Sequence, residues 1–122
     1  MKPFYVILNF IAIAIAATVA SSCGNREAER VMDSAEDVMW TRPDSALAAL
    51  ESIDTLSLKT KAQRARYSLL YTMALDRNRI TIRDLRVIKS AASYYERHGS
   101  KDDRMKMYFY LGTAQYDAGD PE

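Results

Sequence analysis

Residues 80 to 112 read ITIRDLRVIKSAASYYERHGSKDDRMKMYFYLG, and this stretch decides the fold. Ile82, Leu85, Ile88, Ala91, Ala92 and Tyr95 recur at three- and four-residue steps, the spacing of one face of an α-helix. Ile80 to Leu85 reads as its start: Thr81 caps, Asp84 reaches back to the Thr81 N–H, and Ile80 packs on Leu85 as a hydrophobic staple. Gly99 stands where a helix commonly ends on a left-handed residue, and Ser100 with Asp103 three residues later is the start signal of another helix. Two helices joined by so short a turn fold back on each other, so the stretch predicts an antiparallel helical hairpin.

The same periodicity continues upstream. A helix from about Leu58 to Asp76 carries Ala62, Ala65, Leu69 and Met73 on one face, widened by Leu70, Ala74 and Leu75, which predicts a central helix covered on more than one side. Before it, Ala46, Leu47, Leu50 and Ile53 form the apolar side of a short helix capped by Thr41, with Pro43 and Asp44 in its first turn and Ala48 and Ala49 permitting close approach to the helix before. Ala28, Val31, Met32, Ala35, Val38 and Met39 make a first amphipathic helix, with Arg26, Glu29, Arg30, Asp33 and Asp37 opposite. Trp40 lies between these two and is expected to pack their corner. No stretch alternates as a strand does. The chain reads as all-α, an array of antiparallel helical hairpins.

Composition limits the functions open to such an array. The chain has 122 residues, of which 100 remain once the apolar first 22 are set aside, enough for one small domain. Lys2 is the only charge in that segment, so the remainder is balanced between basic and acidic residues, which argues against a nucleic-acid partner. A single cysteine excludes a disulfide framework. His98, the only histidine, ends a helix, where positive charge is favourable. The pairs Asp33/Asp37 and Asp102/Asp103, with Arg26, Arg30 and Lys106 nearby, read as solvated ion-pair faces. With no phosphate-binding glycine loop and no nucleophile elbow, no catalytic residue, metal ligand or cofactor is expected. Lys59, Lys61, Arg64 and Arg66, followed by Arg77, Arg79, Arg83 and Arg86, would bind an acidic peptide, lipid headgroups or nucleic acid if they lined one side; solvated helix faces are the simpler reading.

The first 23 residues carry a different kind of information. Lys2 precedes an apolar run from Phe4 to Ala20, and Ala20-Ser21-Ser22-Cys23 places small side chains before the cysteine, as at a signal-peptide cleavage site. This resembles the lipobox of bacterial lipoproteins, which implies cleavage between Ser22 and Cys23 and acylation of Cys23. The expected organisation is a signal peptide over 1–22, a lipidated cysteine and tether over 23–27, and a helical domain over 28–122. An uncleaved signal anchor is the alternative, because the run lies at the lower edge of spanning length.

A second resemblance sits at the other end. Tyr108, Leu111, Gly112, Tyr116, Gly119 and Asp120 are similar to the first helix and turn of a tetratricopeptide (TPR) repeat, in which a glycine admits the partner helix and a Gly-Asp turn reverses the chain. Pro43 to Leu47 with Leu50 is similar to the second helix of such a repeat. The chain as a whole resembles the N-terminal part of TPR lipoproteins. That resemblance implies a TPR-like solenoid fragment anchored through Cys23 in the bacterial cell envelope, a scaffold for a protein or peptide partner. The alternatives are the sensory front end of a signal-anchored TPR-containing transcription regulator, or a non-functional truncated product. Met105, Met107, Tyr108, Phe109, Tyr110, Leu111 and Tyr116 make the last helix apolar on too many sides for a cap, so one of its faces is expected to be exposed or covered by another molecule.

Overall fold

The computed structural model describes residues 25–119, and every regular element among them is helical. Helix α1 covers 25–38. It is followed by α2 (Pro43–Glu51), a single 3-10 turn (Thr55–Ser57), α3 (Lys61–Arg77), α4 (Leu85–His98) and α5 (Lys101–Asp117). Residues 25–27, assigned to the tether from sequence, are thus helical. The signal segment Met1 to Ser22, Cys23 and Asp120 lie outside the described residues.

Pairings between distant residues give the helix directions. Asn78, at the end of α3, donates its side-chain amide to the carbonyl of Pro43 at the start of α2, 2.8 Å away, so these two helices run antiparallel. Arg66 reaches Glu29, Asp33 and Glu36, while Arg77 lies over Trp40, so α1 and α3 run parallel. The Ile82 N–H donates to Asp117 Oδ2 at 3.1 Å, joining the start of α4 to the end of α5, while Gly99-Ser100 links their other ends. The antiparallel hairpin read from residues 80 to 112 is therefore present.

Helix α3 touches α2, α4 and α5, and it buries Ala65, Leu69, Leu70, Met73 and Ala74. It is the central helix that its wide apolar face foretells. Thr72, also buried, donates its hydroxyl to the Ser68 carbonyl at 2.8 Å, so its polar atom is satisfied. Met32, Met39, Leu50, Ile88 and Met107 are fully buried around it, each worth about 1.5–3 kcal/mol of transfer free energy.

Most departures from the expected pattern occur at helix ends. Helix α3 begins at Lys61, not near Leu58, because Thr60 caps it: the Gln63 N–H donates to Thr60 Oγ1 at 3.1 Å, and Gln63 Oε1 accepts from the Thr60 N–H at 3.3 Å. Gln63 takes the buried place and Ala62 is exposed. Thr41 does not cap α2. The residue before its first turn is Arg42, at φ −139° and ψ 69°, kept out of the helical region by the proline that follows and without a side-chain cap. Ala48 is exposed, leaving only Ala49 against the core.

Thr81 does not cap α4 either. Asp84 does, its Oδ1 accepting from the Arg86 N–H at 3.0 Å. The Ile82 N–H donates to Asp117, and Ile82 enters the core from the connection. Ile80 is 44% exposed and forms no staple. Gly99 is extended at φ −77°, so it is not required for a left-handed turn. It is required for space: a Cβ there would lie 2.7 Å from the Tyr95 carbonyl oxygen. Left-handed backbone occurs instead at Arg79 (φ 58°) and Gly119 (φ 73°). At Arg79 it closes α3 in a Schellman motif, the Ile80 N–H donating to the Leu75 carbonyl at 3.0 Å.

Candidate interaction site

Helix α5 has two faces of different fate. Met107, Tyr110 and Ala114 are buried, and Leu111 packs half-buried beside them. On the opposite side Met105 is 65% exposed, Tyr108 53%, Phe109 64% and Tyr116 84%. These four, spaced at three, four and seven residues, form one stripe along the helix. Gly112 lies within it, with nothing within 4 Å of where a Cβ would stand.

The motif residues fall on both sides of α5. Leu111 packs half-buried against the core, and Gly119 has left-handed backbone at φ 73°. Tyr108 and Tyr116 are exposed and the space beside Gly112 is open among the described residues. Trp40 is corrected: it is 61% exposed rather than packed at the corner, and the Arg77 guanidinium sits 4.6 Å above its ring.

The charged cluster at α1 and α3 was not evident in the sequence. Arg66 Nη1 pairs with Glu29 at 2.8 Å, and its Nη2 with Asp33 at 2.7 Å and Glu36 at 2.8 Å. Partial burial pulls the Arg66 pKa down, but hydrogen bonds to Glu36 and Asp33 and their charges outweigh it and raise the pKa above its usual value. Asp33 therefore finds its partner on another helix and not at Arg26 or Arg30; Arg30 pairs with Glu27 at 3.3 Å. Arg66→Gln leaves three carboxylates side by side and is expected to cost about 1 kcal/mol at low salt. In about 1 M salt the loss should shrink, since the screening length falls to about 3 Å. Urea unfolding in both buffers is the check; a loss unchanged by salt would contradict it.

Beside Arg66 a cavity of about 300 Å³ is lined in part by Glu36, Tyr95, Asp103 and Lys106. Burial, helped by the Asp103 charge and opposed by Arg66, pushes the Tyr95 phenol from 10.0 up to about 12. The folded state keeps this proton after the unfolded chain has lost it. Its contribution to stability is complete below about pH 10 and is lost as pH rises through about 12. Urea midpoints are expected to fall more steeply over that window in the wild type than in Tyr95→Phe; equal slopes would contradict the shift.

The remaining chemistry-bearing side chains are dispersed. His98 is exposed and packs against Tyr94 with ring centres 5.0 Å apart. Asp103 is used in the cap of α5, its backbone N–H donating to Ser100 Oγ at 3.1 Å and its carboxylate accepting from the Ser100 N–H at 3.1 Å. Of the basic residues, Arg66 is taken by carboxylates, Arg77 by Trp40, and Arg86 folds onto Asp84, so they do not form one stripe. No three His, Cys, Asp or Glu side chains are placed to hold a metal ion among the described residues, and no helix among them is long and apolar enough to cross a membrane. No family model, no curated protein and no solved structure matches the chain.

Proposed function

We propose that the chain is a membrane-anchored, extracytoplasmic TPR-like module of the bacterial cell envelope, tethered by an acylated Cys23, that holds a partner protein without catalysing a reaction. The observation that carries the binding role is the apolar stripe of α5. Met105, Tyr108, Phe109 and Tyr116 expose large apolar surfaces along one line, and Gly112 leaves room for close backbone approach. That geometry suits an amphipathic partner helix with apolar residues at helical spacing. Support for the repeat-like reading comes from helix directions: α1 and α3 run parallel, α2 returns against α3, and α4 and α5 form the next hairpin.

A photoreactive amino acid in place of Phe109 tests this in intact cells, with the same residue in place of exposed Lys89 on α4 as control. The expected result is a protein adduct of discrete mass from position 109 and not from 89, lost when Tyr108 and Tyr116 are both changed to Lys. No adduct at 109, or equal adducts at both positions, would overturn it.

A further inference from the structure

The start of α3 and the end of α4 enclose a groove of about 430 Å³ lined by Lys61, Arg64, Ser90, Ser93, Arg97 and His98, with Tyr94 at its wall. No carboxylate lines it. Among the described residues Lys61 and Arg97 take part in no ion pair, and Arg64 is steadied by a hydrogen bond from Nη1 to the Leu58 carbonyl at 3.0 Å. Helix stability accounts for Arg97 and His98, in the last turn of α4, but not for the other two cations. Lys61 and Arg64 occupy the first turn of α3, where cations oppose the helix dipole, and that turn holds no acidic residue to offset them.

We propose that this groove binds a phosphate group, free or as the headgroup of an anionic phospholipid. Three cations, an imidazole and two hydroxyls supply the convergent donors that phosphate oxygens need. Arg64 and Ser90 also line an adjoining depression of about 300 Å³, whose wall includes Leu58, Tyr67 and Val87. A headgroup in the basic half would therefore place its first acyl carbons against apolar side chains. The site does not depend on acylation of Cys23, nor on the stripe of α5, and stands if either of those readings fails.

The test is an amide and arginine side-chain chemical-shift titration of the full chain in neutral detergent. The probes are inorganic phosphate, short-chain phosphatidylglycerol and short-chain phosphatidylcholine, with an oligo-glutamate peptide as a fourth. Saturable shifts at Arg64, Ser90 and Arg97 with phosphatidylglycerol, exceeding those with phosphatidylcholine, are expected. The Lys61→Glu, Arg97→Glu pair should weaken binding at least tenfold, and Lys61→Gln with Arg97→Gln, neutral at the same exposed positions, should weaken it less. Inorganic phosphate binding as tightly as phosphatidylglycerol supports the site with free phosphate as its source; much weaker phosphate binding assigns the headgroup. Saturable binding of oligo-glutamate alone, equal response to both lipids, or no saturable shift with any probe would overturn the proposal.

Discussion

Ile88→Ala is expected to destabilise the domain by about 2–5 kcal/mol, the range for removing a large aliphatic side chain from a packed core. Ile88 is 0% exposed, near the start of α4, which packs on α3 and α5. Its loss removes transfer free energy and leaves a cavity that rigid neighbours close only in part. Against a typical total of about 5–15 kcal/mol for a small domain, that is a large share. Urea unfolding should show a midpoint lowered by about 1 M or more with little change in slope. Met105→Ala, on the exposed side of α5, should stay within about 0.5 kcal/mol of the wild type. Equal effects at Ile88 and Met105 would mean that the helices do not pack as described.

Cys23→Ser is expected to act on the anchor in an all-or-none way. Each buried methylene of an acyl chain contributes about 0.8 kcal/mol, so two chains hold a protein at a membrane for practical purposes permanently. Fractionation alone is a poor test, because an uncleaved run from Phe4 to Ala20 is itself close to the length that spans a bilayer, about 17–25 residues. Incorporation of a labelled fatty acid separates the two cases. The wild type should take up label and show an intact mass that starts at a modified Cys23, and Cys23→Ser should take up none. A wild-type chain that retains Met1 and carries no acyl group would favour the signal anchor.

How far the fold could be read in advance depended on the range of the interaction. Apolar periodicity is local, so it placed the faces of α3 and α4, and the Ser100–Asp103 cap is written in four adjacent residues. The cap of α3 was equally local, a Thr60–Gln63 box hidden by starting the helix at the apolar Leu58. Between Thr81 and Asp84 local chemistry offers two starts for α4, and the Ile82 bond to Asp117, thirty-five positions away, is invisible to local pattern. Arg66 shows the same limit, since its partners lie thirty or more positions away on α1. Tyr108, Gly112 and Tyr116 lie on the exposed side of α5, and periodicity did not place them there because that helix carries apolar residues on several sides.

The covered or uncovered state of α5 can be measured directly by hydroxyl-radical labelling of the protein in native membranes and after purification. Labelling of Met105, Tyr108, Phe109 and Tyr116 should be markedly lower in membranes, while Trp40 and Leu56, exposed elsewhere on the surface, label alike in both states. Equal labelling of the α5 residues in the two states would contradict a partner seated on that face.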